Sequence, residues 1–428
     1  MKQSLERIKL AQPNKAYRAL KINFWSLVFV SVSGHGLAAA EPTTYESTLL
    51  RVIETMQNGH LDPARILVES LLTDYPHSRT AKLLYADILA TQGGRLPLGE
   101  RTIHTRERAA LDDLQNQLQV RWHYQSSQSK PNDNLLPSRL LLPGRDTHYL
   151  IYVDLPESRL YVYRHHKGRL IHLHNYYVTI GKNGIGKQIE GDRKTPVGVY
   201  RITSFIPDAE LPPRYGPGAL PIDYPNSIDR MTQRTGYGIW LHGTEPGYVN
   251  RGPYASDGCV TLSNHEFEHL REITGNATDI PVILDHAPVW LTRKDLPKRR
   301  ANAIAAVQQW HSSWLRIDKA GLAKVYRAMN AAHLEEALRN PSQERPLSPL
   351  TADWNYPTIP DIELMGYPHS IETFLARLTF KNADGSRLII NQYWQHDANK
   401  NWQVMAERSE EHTSELQSLV NLVCRLLL

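Results

Sequence analysis

Apolar residues first recur at helical spacing at Leu49, Leu50 and Ile53, and again at Ile66, Leu67, Leu71 and Leu72. A stripe of that period predicts two amphipathic helices, over 44–57 and 63–74. Asp62-Pro63 suits the start of the second, with Asp as cap and Pro at the first helical position. Tyr75-Pro76 stops it, and further helices are expected over 81–90 and 105–122. Residues 125–146 are rich in Ser, Gln, Pro and Asn and read as a linker. The period then shortens. Runs at 149–154, 159–163, 170–180, 197–205, 237–242, 259–262 and 280–284 are β-rich and punctuated by Gly, Pro and Asn. They predict a mostly-β domain over 147–287. Six prolines between Pro207 and Pro225 exclude that stretch from a central strand, so it is expected as a lid or a surface excursion.

The pattern changes again further on. Residues 288–300 read as a basic linker. Ile304, Val307, Trp310, Trp314 and Ile317 mark an amphipathic helix, followed by a shorter one at 319–328. Strands are expected over 370–381 and 387–395, joined by the hairpin signal Asn382-Ala383-Asp384-Gly385, with a last strand at 402–407. Helices followed by a sheet that ends in a Trp-containing strand resemble the cone of the SnoaL-like (nuclear-transport-factor-2-like) family. The helices of 41–124 resemble a single tetratricopeptide unit, and a small docking or dimerisation module is the simpler reading. The expected fold class is therefore multidomain. It comprises a helical N-terminal module (41–124), a mostly-β domain (147–287) and an α+β cone (301–407). The cone's aromatic residues are expected to be mostly core, with a mouth able to grip glycan or peptide.

The 428 residues are 41% hydrophobic and 22% charged, ordinary globular proportions that exclude a disordered or collagenous chain. The net charge of +5 comes from residues 1–40, so it gives no reason to expect a nucleic-acid partner. Those residues carry Lys2, Arg7, Lys9, Lys15, Arg18 and Lys21, then the apolar run Phe24–Val32, then Ala38-Ala39-Ala40. This is the pattern of a secretory signal peptide cleaved after Ala40, and it places the mature chain in the periplasm. Arg408 to Ser418 looks like the translation of a sequencing-library adapter, so 408–428 is expected to be foreign. Cys424 then drops out and Cys259 is the one native cysteine, a candidate reactive thiol in an exported chain.

The densest chemical signal surrounds that cysteine. Gly238-Ile239-Trp240-Leu241-His242-Gly243-Thr244 is a strand ending in a histidine, and Ala255-Ser256-Asp257-Gly258-Cys259-Val260-Thr261 opens the next strand with a glycine-preceded cysteine. A thiol with an unperturbed pKa of roughly 8.5 becomes a nucleophile when an imidazole takes its proton. Gly258 permits a sharp turn, and the amides around Gly258 and Cys259 could donate to an oxyanion. These motifs resemble the L,D-transpeptidase (YkuD) family, whose signature is a His followed by Ser/Thr-His-Gly-Cys. Tyr177-Val178-Thr179-Ile180-Gly181 and Gly191-Asp192-Arg193-Lys194-Thr195-Pro196-Val197-Gly198-Val199-Tyr200 add to the likeness. The resemblance makes Cys259 the nucleophile, His242 the base and then the acid, and the Gly243 carbonyl the group that orients the imidazole. Ser256 shapes the turn. Asp257 stands where the family has His, and Thr261 where it has Arg. Arg251, Asp257 and Thr244 are the candidate substrate contacts. His165, His166, His172 and His174 read as exposed strand histidines, with His172 and His174 on one face, so no metal or cofactor is expected.

The resemblance implies acyl transfer through a thioester on peptidoglycan tetrapeptide stems, with release of the terminal D-Ala. An amine acceptor gives a 3–3 crosslink or lipoprotein attachment. Water gives L,D-carboxypeptidation, and the three-part layout is similar to shape-determining L,D-carboxypeptidases. A reading of another class is a non-catalytic wall-binding adaptor. The implied partners are stem peptides, then an outer-membrane lipoprotein or a second copy meeting through the helical module.

Overall fold

The computed structural model describes residues 44–98, 105–126, 134–316, 318–326, 360–368, 372–383 and 385–412. The leader, Cys424 and the tail beyond His412 lie outside them. Four helices open the described chain: α1 (Tyr45–Gln57), α2 (Leu61–Asp74), α3 (Arg79–Gln92) and α4 (Thr105–Ser126). Their shared core is Tyr45, Leu49, Val52, Ile53, Ala64, Val68, Leu71 and Ile88. Leu49, Ile53 and Leu71 of the expected stripes lie in it, whereas Ile66 is exposed. Helix α2 starts earlier than expected. His60 precedes it, and Pro63 sits inside the first turn, where no N–H is required. Asp62 instead accepts a 2.7 Å bond from Gln92 Nε2.

The strands follow in order. They are β1 (Leu135–Pro137), β2 (Tyr149–Asp154), β3 (Arg159–His166), β4 (Arg169–Tyr177), β5 (Ile180–Gly181), β6 (Gly198–Arg201), β7 (Ile206–Pro207) and β8 (Gly218–Pro221). After helix α5 (Ser227–Met231) come β9 (Trp240–His242), β10 (Tyr254–Ser256) and β11 (Val260–Thr261), then helix α6 (Asn264–Thr274) and β12 (Pro281–Asp285). One sheet has the order β4-β3-β2-β12-β6 and a second has β11-β9-β8-β7. The first sheet is buried on both faces, which is why Tyr149–Val153 reads as a continuous apolar run. Ile151, Val153 and Val162 pack with Leu241, Val260 and Phe267, on the side of the second sheet and α6. Leu150, Tyr152, Tyr161 and Tyr163 pack against the C-terminal unit.

That unit holds β13 (Trp290–Thr292), α7 (Leu296–Leu315) and α8 (Lys319–Val325), then β14 (Asp361–Gly366), β15 (Thr373–Lys381), β16 (Arg387–His396) and β17 (Trp402–His412). The last four strands form an antiparallel sheet in chain order. Trp310, Trp314, Tyr326, Tyr393 and Trp394 are buried in its core. Trp310 Nε1 donates to the Tyr326 hydroxyl at 2.8 Å, and Gln392 Nε2 donates to Glu407 at 2.8 Å.

Several expectations need correction. Residues 135–142 are not linker, because β1 pairs with β13 and buried Arg139 bonds Asp285 at 3.1 Å. Residues 288–300 hold β13 and the first turn of α7. The proline-rich stretch does supply an interior strand. β8 lies between β9 and β7, and Pro221 is tolerated at its last position, opposite Trp240. Strand β17 runs five residues past Glu407, because β16 offers backbone partners back to Arg387, which faces His412. Ladder bonds use backbone groups, so residues 408–412 pair whatever their side chains are.

The helical module meets the first sheet through buried charge. Glu46, 3% exposed, accepts from Arg121 Nε of α4 at 2.8 Å and is ion-paired with Arg159 Nη2 of β3 at 2.7 Å. Arg121 lies 3.8 Å over the Tyr177 ring, and Arg159 lies 4.0 Å over the Tyr124 ring. Burial opposes ionisation of Glu46, but Arg121 and Arg159 outweigh it and hold its carboxyl below the usual value of 4.5. Its contribution is thus present above that value and is lost as pH falls through the lowered one. Replacing Glu46 by Ala strands two buried guanidiniums. We expect it to cost about 3–5 kcal/mol in urea unfolding. The exposed pair partner Arg65→Ala should cost under about 1 kcal/mol. Equal small losses would show that the buried cluster is dispensable.

Candidate active site

Strands β9 and β11 lie side by side and parallel, with Thr261 opposite His242. The sheet thus sets the histidine at the end of β9 opposite a residue two positions after Cys259, which precedes β11. Four contacts fix the turn after His242. The His242 Nδ1 to Gly243 oxygen distance is 2.6 Å. A carbonyl only accepts, so Nδ1 carries the proton and Nε2 keeps its lone pair. Asn264 Oδ1 accepts the Thr244 amide at 2.6 Å. Gly243 N donates to Tyr215 O at 3.1 Å, and the Tyr215 ring stands edge-on to the imidazole at 4.9 Å. Glycine is required at 243, because a Cβ there would lie 2.4 Å from Asn264 Oδ1 and 2.6 Å from Pro217 Cδ.

The cysteine turn is braced from two sides. Ser256 Oγ donates to the Cys259 carbonyl at 2.6 Å and accepts the Gly258 amide at 3.1 Å. Thr195 Oγ1 donates to the Gly258 carbonyl at 3.0 Å and accepts the Gly181 amide at 2.9 Å. Gly258 has φ +128°, and a Cβ would meet Lys194 O at 2.9 Å. The Gly258 amide is therefore engaged by Ser256, which corrects the expectation that it faces an oxyanion.

Neither reactive group is charged at rest. His242 is buried, and burial pushes its pKa down to about 4, against the pull of the Gly243 carbonyl. The positive charges of Arg251 and Arg214 lower it further. Burial pushes the Cys259 thiol up to about 11, although the Trp240 backbone N–H pulls the other way. The thiol donates to Gly238 O at 3.3 Å, and the Nε2 lone pair faces the Thr261 hydroxyl at 3.3 Å. Cys259 and His242 thus stand as neutral acid and neutral base across a pair of strands.

The expected substrate contacts fare differently. Thr244 is fully buried, and its hydroxyl bonds Glu245 at 2.9 Å and Arg251 Nε at 3.0 Å, so it braces the loop. Arg251 is half-buried and ion-paired with Glu245. Asp257 is exposed and pairs with Lys182 at 3.2 Å and Arg193 at 3.7 Å. His172 and His174 do not share a face. A bulge sets them opposite Tyr163 and Val162, and their rings pack on Tyr161 with Tyr163 and on His269 respectively. Among the described residues no group of His, Cys, Asp or Glu could hold a metal ion. Thr195, Tyr215, Asn264 and the Thr261 contact were missed in the sequence. Thr195 lay inside a quoted motif, but its bond to Gly258 joins positions 63 residues apart.

Residues 148–284 match the sequence model of the L,D-transpeptidase catalytic domain, YkuD. No curated protein matches the chain. Among solved structures, the chain is similar to Bd1075 of Bdellovibrio bacteriovorus, at 17% identity and a TM-score of 0.50, over 65% of this chain and 100% of that one. It is also similar to a mutant form of the helical cell shape determining protein Pgp2 of Campylobacter jejuni, at 20% identity and a TM-score of 0.50. That alignment covers 63% of this chain and 94% of the other. At these identities the likeness is one of fold.

The neutral resting pair makes a direct prediction. Iodoacetamide alkylates thiolate, so labelling of Cys259 should rise about tenfold per pH unit up to about pH 11. A rate that levels off below pH 8 would show a thiolate–imidazolium pair instead.

Proposed function

We propose that the chain is an exported, periplasmic enzyme that acts on peptidoglycan stem peptides through a Cys259 thioester. The observation that carries this reading is the His242–Cys259 juxtaposition on paired strands, inside the segment that matches an L,D-transpeptidase domain. The thiol leaves Gly238 and turns to His242 Nε2, which takes its proton as sulfur bonds the scissile carbonyl carbon. The Gly243 carbonyl keeps the remaining proton on Nδ1 and steadies the imidazolium. The Cys259 amide, beside the reacting carbon, is the donor for the oxyanion. Collapse of the intermediate breaks the C–N bond, and His242 protonates the departing D-Ala amine. An acceptor amine then attacks the thioester, gives its proton to His242, and sulfur leaves as the thiol.

In this reading the acceptor is the amine of another stem or of a lipoprotein. A second reading has water as acceptor, giving an L,D-carboxypeptidase. The fold likeness to a cell-shape-determining protein across most of that protein's length favours it. The C-terminal unit, α7 and α8 on an antiparallel sheet, is the SnoaL-like part of this scheme and acts as an accessory domain.

Purified sacculi incubated with the mature chain distinguish the readings by mass spectrometry. A 3–3 dimer or lipoprotein-linked product marks transfer, and tripeptide alone marks hydrolysis. The variant Cys259→Ser should lose at least about a thousandfold in rate with an unchanged melting curve, because a hydroxyl is far less acidic than a thiol. Retained turnover in that variant would reject the thioester route. The kcat/KM of the parent should fall only on the acid side, as His242 gains a proton near pH 4.

A further inference from the structure

A cleft of about 430 Å³ opens between the helical module and the loop from Glu245 to Ala255. The module contributes His77 and Arg79 at the start of α3, with Asp113 of α4, and the β domain contributes Arg214, Tyr248 and Arg251. Neither half makes the cleft alone. We propose that it is a carboxylate-binding subsite, holding the free carboxylate of a peptide whose scissile bond lies at Cys259. This rests on the peptidoglycan reading and adds to it a site built by the helical module.

The charge of the lining carries the inference. Arg251 is satisfied by Glu245, and Lys182 by Asp257. Asp113 accepts from Gln117 at 3.1 Å and packs so tightly on the loop that a Cβ on Gly252 would lie 2.0 Å from its Oδ1. Arg79 and Arg214 have no carboxylate partner among the described residues. Each lies over a tyrosine ring, Arg79 at 5.3 Å from the Tyr248 centroid and Arg214 at 5.0 Å from that of Tyr215. An aromatic face holds the guanidinium plane; Arg214 Nη2 also donates to the Tyr215 hydroxyl at 3.1 Å, and each guanidinium keeps further N–H groups for an acceptor. Two such forks, one from each side of a cleft this size, suit a carboxylate of a short peptide.

The cleft also adjoins the chemistry. Tyr215, under Arg214, is the ring that stands against His242. Arg251 donates to Thr244 Oγ1 at 3.0 Å, one residue from the carbonyl that orients the imidazole. A ligand gripped here is thus positioned by the elements that set the base. Remote binding of this kind lowers KM and fixes the scissile bond in place.

Binding measured by calorimetry tests the subsite. The full mature chain carrying Cys259→Ala, which cannot turn over, is titrated with a tetrapeptide muropeptide and with the same compound amidated at its carboxylates. The acidic form should bind at least about tenfold more tightly. Adding Arg79→Glu should erase that preference, and Arg79→Lys should keep part of it. Arg79 is exposed, so the melting curves should be unchanged. Equal binding of the two forms, no binding of either, or a preference that survives Arg79→Glu would overturn the subsite. Turnover of the acidic muropeptide by the chain with Cys259 intact is measured alongside. Its absence would reject the peptidoglycan reading, and its presence with any of those three results rejects the subsite alone.

Discussion

Glu46 is the constraint on which the rest of the structure turns. A carboxylate this buried persists only because two guanidiniums meet it, one from α4 and one from β3. Removing any member leaves a charge with nowhere to go, so helical module and sheet are tied by electrostatics as well as by apolar contact. The tie continues towards the chemistry. Arg121 lies on the Tyr177 ring, the Tyr177 hydroxyl donates to the Arg251 carbonyl at 3.0 Å, and Arg251 reaches Thr244 beside the histidine turn. Nearby Glu266, on the first turn of α6, has its carboxyl pushed up by burial and by the charge of Glu46. That same turn carries Asn264, which holds the Thr244 amide. The module is therefore part of the frame that aims His242.

Within that frame the two reactive groups rest uncharged. Burial acts on both in the direction that disfavours charge, lowering the imidazole and raising the thiol. In the proposed chemistry, proton transfer then waits for substrate. The thiol is parked on Gly238 and the imidazole on Thr261, so in that scheme the nucleophile forms only when Cys259 turns to His242. Such an arrangement slows oxidation of the thiol, because oxidants attack thiolate.

The parts of this site that lie close along the chain were legible in the sequence. Gly258 beside Cys259, Gly243 beside His242 and the strand that ends in His242 are local patterns with local physical reasons. So were the four N-terminal helices, although Ile66 of the expected α2 stripe is exposed, and β2, whose bounds were read correctly. What escaped depends on pairing between distant segments. The interior place of β8 follows from its neighbours β9 and β7, and its prolines argued against it. Thr261 faces His242 only because β11 lies parallel to β9. The cluster of Glu46, Arg121 and Arg159 went unread, since nothing in helical or strand spacing shows that residues 75 and 113 positions apart meet. Strand β14 was overlooked, and its pairing with β15 gives the C-terminal sheet its first edge.

Joined at Glu46, the helical module and the β domain should respond to its loss as one unit. Amide hydrogen exchange on the full chain, compared between the parent and Glu46→Gln, tests it most directly. Residues 245–255 and the turn at 258–261 should lose protection together with α1 and α4. Loss confined to α1 and α4, with 245–261 unchanged, would contradict it.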